Sequence, residues 1–368
     1  MTDIQALLDA TPDGGTCVIP AGDHTIPEGV GLSVPHGVAA IDATGATIRV
    51  VGPDGQRSTV PPTVPLFDCR QRPNGSTFTF RGGHLIGPDT SGWDDHTDVP
   101  HGAIQWSYYK TWDSVMTVDG VTVEGGYAYA VMRSGGGDLT ITGSHLSGWV
   151  GAVACFEGHG GHGTFTASDC LFPAPQQSKY SSIGAYVHPH LDTIWTNVHL
   201  CGWSRYALYL NGSPSGVGSH HSLIDVTATD CSLIQGAKGS TVHLVRCVEQ
   251  GTPHNGGSYM MGTVISHGST WRHRIGMIGT QNDDIDFTFC GDTIATGQWW
   301  LGPGRNTTGS IRIIGCHVEL SAQTRVVGAA DSSPLDVTVM ATEFTGATTR
   351  QAFNVPAGAV RFVDCEAP

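Results

Sequence analysis

The stretch CFEGHGGHGTFTASDC, from Cys155 to Cys170, gathers residue types that ligate metals or move protons: Glu157, His159, His162 and a cysteine at each end. Two histidines three apart would offer their rings to one ion if a helix fixed them, but the glycines at 158, 160, 161 and 163 leave no helix to do so. The segment reads as a corner, with Glu157 left as a carboxylate for acid-base work. Polar residues recur at nearly equivalent places nearby: Arg133, His188, His190 and Asn211, with Lys110 and Asp113 upstream. Tyr127, Tyr129, Tyr186, Tyr206 and Tyr209 accompany them, and tyrosine rings can support the faces of sugars.

A second cluster lies in the insertion GPDTSGWDDHTDVPHG (87–102), where Asp94, Asp95, His96, Asp98 and His101 follow Trp93. Long loops overhanging a regular scaffold are where binding residues gather. Its spaced carboxylates suit an acid-base pair, or Ca2+ as the one ion the chain could hold; no other cofactor is expected. The similar QNDDIDF (281–287) already places Asp286 in a strand.

Such residues need a scaffold that stacks them. One short pattern recurs along the chain: a strand former, an apolar residue, a variable residue, a turn former and often Cys. It appears as TVDGVTV (117–123), TITGSHL (140–146), TASDCLF (166–172), TATDCSL (227–233), TFCGDTI (288–294), RIIGCHV (312–318) and RFVDCEA (361–367). Taking its fourth position, twelve anchors run from Gly82 to Asp364 through Gly120, Gly143, Asp169, Asn197, Asp230, Arg246, His267, Gly291, Gly315 and Ala341. They are spaced by about 26 residues, the rung length of a β-solenoid. One interval, Asp230 to Arg246, is short for a coil. The expected fold is all-β, a single parallel β-helix of about 12 rungs, with an N-terminal cap and first rungs over 1–52 and the body over 53–368.

The repeat gives Cys170, Cys231, Cys247, Cys316 and Cys365 a common interior column, where thiols behave as small apolar groups. Only Cys231 and Cys247 belong to neighbouring rungs and could bond. Alternation along strands sends one of Trp299 and Trp300 inward, and likewise one of Tyr108 and Tyr109. In IQALLDA (4–10), Ile4, Leu7 and Leu8 share a helical face that would cover the first rung.

Bulk composition narrows the function. A net charge of −14, with only Lys110, Lys179 and Lys238 among 18 basic residues, disfavours nucleic acid and polyanionic partners. The opening MTDIQALLDATPDGG has no basic and apolar signal pattern, and nowhere do 18 apolar residues run together, so cytoplasmic synthesis without membrane insertion is expected.

The opening IQALLDATPDGGTCVIPAGDHTI, followed by IDATGATIRV, resembles the N-terminal cap and first rungs of the pectate-lyase-like right-handed parallel β-helix superfamily. The resemblance implies a carbohydrate-active or carbohydrate-binding protein, foremost a glycan hydrolase like the depolymerases of phage tailspikes, with virion association and a homotrimer among what it implies. Its alternatives are a non-catalytic structural or receptor-binding virion protein, a polysaccharide lyase, or an isomerase or lyase on a small molecule. Scarce lysine favours inverting hydrolysis of a neutral glycan over lyase chemistry. Glu157, His188 and one of Asp94, Asp95 and Asp98 are then the candidate catalytic groups, and Arg133, His190, Asn211, Tyr127, Tyr129, Tyr186, Tyr209 and Trp93 the candidate sugar-binding ones.

Overall fold

A computed structural model describes residues 3–69, 72–94, 99–107, 113–156, 163–175, 183–187, 191–204, 206–210, 218–236, 239–252, 257–276, 284–295, 299–302, 307–328, 335–347, 351–355 and 359–368. The chain divides into two compact units: Met1–Leu191 with Val198–Ser204, and Asp192–Asn197 with Arg205–Pro368. In each, short strands pair in parallel with the equivalent strand one rung later. In the first unit Thr117 pairs with Thr140 and Thr140 with Thr166. In the second Val264 pairs with Phe287, Phe287 with Ile311 and Ile311 with Val337. Rungs following one another in strict parallel register make this an all-β parallel solenoid.

Alternation explains why these sequences form strands. In Leu335–Met340 the burial pattern sends Leu335, Val337 and Val339 inward and Asp336, Thr338 and Met340 outward. The 4–10 helix behaves as its pattern requires: Ile4 and Leu8 are buried, and Asp3 caps its first turn by accepting from the Ala6 amide at 3.0 Å. Gln5 ties it to Ser33 through two hydrogen bonds of 2.9 Å.

The recurring fourth position is a left-handed bend in each rung. Gly82, Gly120 and Gly143 have φ of 62°, 64° and 53°, and the non-glycine Asp169, Asn197, Arg246, Ala341 and Asp364 lie between 48° and 55°. Two anchors shift. Asp225, φ 55°, carries the bend one rung before Arg246, and Gly268 carries it in place of His267. This replaces the 33- and 16-residue intervals with 28 and 21. Asp230, φ 53°, is a second bend of that rung, so Cys231 leaves the thiol column.

After several bends comes a small inward residue that serves the backbone, whereas Val121, Val198 and Val226 fill the same position with buried apolar side chains. Ser144 accepts from the Val121 amide at 3.1 Å, Ser269 from Cys247 at 3.1 Å, and Asp292 from Ser269 at 2.9 Å. Cys170, Cys247, Cys316 and Cys365 point their thiols at the carbonyls of Ile141, Leu223, Phe289 and Val339 one rung back. All ten cysteines are free thiols, so no bond joins Cys231 to Cys247. Trp300 is buried; the side chain of Trp299, and Tyr108 and Tyr109, lie outside the described residues.

Polar groups inside the two units differ. In the first, Arg72 and Arg133 both lie over the Trp106 ring, at 5.6 and 4.6 Å from its centroid, and donate to backbone carbonyls. In the second, the His221 ring lies between the Thr193 hydroxyl (3.0 Å) and the Ser219 hydroxyl (2.9 Å), and Glu249 is wholly buried.

Candidate functional site

The loop that begins at Gly87 is fastened down before it reaches Trp93. Arg57 donates through Nε to the Gly87 carbonyl at 2.8 Å, and the Asp89 amide donates to the Ser58 carbonyl at 2.7 Å. Trp93 then donates its indole N–H to the Thr59 carbonyl at 2.7 Å. Its ring lies directly over Gly126, where a Cβ would overlap the six-membered ring. Behind it stands Trp149, edge-on with centroids 5.3 Å apart, in a small cluster with Val99 and Ala128. The loop thus presents a half-buried indole held in one orientation, with Asp94 exposed beside it.

Tyr129 packs against the same cluster from the strand Tyr129–Ser134. It pairs with Gly102 on one side and Gly151 on the other, and a Cβ at Gly151 would press on its ring. The glycines leave the ring a bare floor. The neighbouring column runs Gln105, Met132, Ala154, Tyr186, with Gln105 and Ala154 buried and Met132 and Tyr186 half-buried. Burial, with the Tyr186 phenol nearby, pushes the Tyr129 hydroxyl up to about 12, so it stays a neutral donor. Trp93 on its fastened loop, and Tyr129 and Tyr186 on the sheet, are half-buried rings, the form an apolar sugar face needs.

Two expected members of this face lie elsewhere. Tyr127 is 2% exposed, its ring against Gly87, and burial raises its pKa; it supports the loop from below. Arg133 is fully buried and shares an inward column with Trp106 and Cys155, donating to the carbonyls of Ser114 and Gly136. The strand's alternation, Val131 in, Met132 out, Arg133 in, sets that direction against the charge. Glu157, Asp95, Asp98, His188, His190 and Asn211 lie outside the described residues.

The second unit carries its own outward aromatic group. Tyr209, Gln235 and Tyr259 follow one another in register, and Tyr206 sits 6.4 Å from Tyr209 and 5.9 Å from Tyr259 by ring centroids. Tyr259 and Trp149 were missed in the sequence; Tyr259 belongs to a strand of only three residues, too short for its alternation to show. A cavity of about 700 Å³ between 320 and 368 is walled by Phe344, Phe353 and Phe362, whose edge-to-face contacts continue the core. Among the described residues no group of three or more His, Cys, Asp or Glu is placed to hold a metal ion.

Stacked parallel rungs under a short N-terminal helix place the chain among the parallel β-helix proteins. No family model matches it, and no curated protein does. Solved structures similar to it include the catalytic unit of a GH87 α-1,3-glucanase from Streptomyces thermodiastaticus, with a TM-score of 0.45 and 14% identity over 99% of this chain. The chain spans 65% of that unit. The siphovirus 9NA tailspike receptor-binding domain gives a TM-score of 0.42 and 11% identity over 100% of this chain and 75% of that one. The Streptococcus pneumoniae surface adhesin PfbA gives 0.47 and 10% over 98% and 94%. The architecture stated above rests on the chain's own strand register.

Proposed function

We propose that the chain binds a neutral glycan on the aromatic face of its first unit and hydrolyses it with inversion, as a depolymerase of a surface polymer would. The observation that carries the binding is Trp93, pinned through Thr59 over Gly126 beside the glycine-floored Tyr129. A ring held in one rotamer loses little entropy when a sugar stacks on it. The net charge of −14 suits a neutral polymer better than an acidic one.

For hydrolysis, one carboxylic acid gives its proton to the glycosidic oxygen as the C–O bond breaks, while a carboxylate takes a proton from the attacking water. Glu157 and one of Asp94, Asp95 and Asp98 are the pair proposed. The test is a screen of purified protein against bacterial surface glycans, reading new reducing ends and unsaturated products separately. Reducing ends without unsaturation are expected, with Glu157→Gln abolishing them and Trp93→Ala weakening glycan binding by about ten-fold. Unsaturated products would make the chain a lyase. Binding without cleavage would leave a receptor-binding protein, and undiminished binding by Trp93→Ala would remove this face from the reading.

A further inference from the structure

The second unit's cavity of about 700 Å³ has the size of a small-molecule site, a class that runs from roughly 300 to 1,000 Å³. Its three phenylalanines come from three different strands, Glu343–Gly346, Phe353–Asn354 and Val360–Val363. Phe353 meets both of the others, its ring centroid 6.2 Å from that of Phe344 and 5.3 Å from that of Phe362, at interplanar angles of 83° and 89°. Phe353 is buried, while Phe344 and Phe362 are half-buried and keep ring surface open to the cavity.

The ring geometry selects what fits. A sugar stacks on one flat face, and rings set at right angles offer it no common platform. They do form adjoining walls, so a compact group seated there meets more than one ring. The face of a phenylalanine ring carries the negative lobe of its quadrupole, and the group that several such walls attract is a cation.

The charge around the cavity has the matching sign. Glu343 and Glu366 line it, both exposed, and among the described residues no lysine or arginine does. Glu343 also meets the His317 ring at 3.1 Å, which makes Glu366 the cleaner source of counter-charge. The net charge of −14 raises the local concentration of any cation. A quaternary ammonium suits such a wall better than a metal ion, because it turns methyl groups to the rings while carrying its charge between them.

We infer that this cavity binds an organic ammonium ion, with its quaternary head against the phenylalanine walls and Glu366 supplying the counter-charge. Neither the site nor its ligand depends on the glycan reading, which concerns the first unit.

Titration of the full chain with tetramethylammonium, followed by the proton resonance of its methyl groups, tests this, with tert-butanol as a neutral probe of nearly the same shape. Expected is a saturable upfield shift from the ring currents, with the ammonium bound at least about ten-fold more tightly than the alcohol and less tightly as NaCl is raised. Phe362→Leu and, independently, Phe344→Leu keep apolar bulk but remove a ring, and each should weaken the ammonium about five-fold or more with circular dichroism unchanged. Glu366→Gln should weaken it about three-fold, and Thr140→Ala, in the first unit, should leave it unchanged. No saturable shift at millimolar tetramethylammonium, equal binding of tert-butanol, or a shift that both ring variants leave intact would overturn the inference. Glycan binding is read separately through Trp93→Ala, so failure here leaves the proposed function standing, and the reverse also holds.

Discussion

The residue before the bend and the residue after it can be compared between the two units. Before the bend, facing out, the first unit has Arg81, Asp119, Thr142 and Ser168, whereas the second has Ile224, Val245, Ile314 and Met340. After the bend, facing in, both have short groups: Ser144 and Cys170 with Val121 in one, Cys247, Ser269, Cys316 and Thr342 with Val226 in the other. Inside, backbone polar groups must be satisfied without water, and where the position is polar a short hydroxyl, thiol or carboxylate reaches them. Outside, water satisfies everything. One backbone therefore limits the inner column to short side chains and leaves the outer one free to be a polar wall in one unit and a largely apolar file in the other.

The interiors also differ in sign: buried guanidinium in the first unit, buried carboxylate in the second. Among the described residues Arg133 lies against Trp106 and donates to backbone carbonyls, with the Asp138 charge a smaller attraction, so its methylene stem and ring contact should matter more than its charge. Arg133→Ala is expected to lose about 3 kcal/mol in urea unfolding through the cavity left beside Trp106, and Arg133→Met about 1 kcal/mol or less. If Met proves as damaging as Ala, the hydrogen bonds to Ser114 and Gly136 are what the site needs, and the two interiors are more alike than their charges suggest.

In the second unit, burial pushes Glu249 up to about 7, although Ser258 donates to it at 2.6 Å and the Leu233 amide at 3.2 Å. Burial likewise pushes His221 down to about 4. A carboxyl raised in the fold stabilises below its ordinary pKa of 4.5 and loses that contribution as pH rises through about 7. A depressed imidazole stabilises above 6.5 and loses its contribution as pH falls through about 4. Between pH 4.5 and 6.5 the two slopes oppose each other. Glu249→Gln should therefore unmask a rise in stability across that window of up to about 3 kcal/mol, and His221→Asn a fall of similar size, each read as the difference from the unsubstituted curve. Parallel curves for all three proteins would show that neither group titrates with folding.

Much of this was legible because backbone conformation leaves a strong mark on residue type. Glycine, aspartate and asparagine at the anchors report a left-handed φ, and the alternating residues around them report the strands. The one misread interval has a physical reason: Asp225 and Asp230 are both left-handed aspartates, and the Asp230-Cys231 pair imitates Asp169-Cys170. Arg133 was placed outside because charge outweighed alternation, although the Val131-Met132-Arg133 parity pointed inward. The aromatic face of the first unit was partly legible, in Trp93, Tyr129 and Tyr186, and the separate tyrosine group of the second in Tyr206 and Tyr209. Which rings would be covered was not, since Tyr127 is buried by a loop whose path depends on Arg57 and Thr59, some 30 residues upstream.

The smallest expected effect tests the shared element itself. Ala341 occupies the bend at φ 48° with a Cβ, while Gly315 and Gly291, in the two rungs before it, occupy the same bend at 58° and 66° without one. A left-handed backbone costs an L-residue about 1–2 kcal/mol, and glycine escapes that but gives up roughly 0.5–1 kcal/mol of unfolded-chain entropy. Ala341→Gly should then stabilise the chain by about 0.5 kcal/mol, and Gly315→Ala should destabilise it by a similar amount, with nothing within 4 Å of the added Cβ to enlarge the loss. Urea midpoints at constant slope would resolve both. Opposite signs mean the bend is the same physical object in every rung; a loss from both substitutions would mean the Ala341 methyl makes a packing contact that outweighs its strain, and that the outer column, not the bend, fixes the residue there.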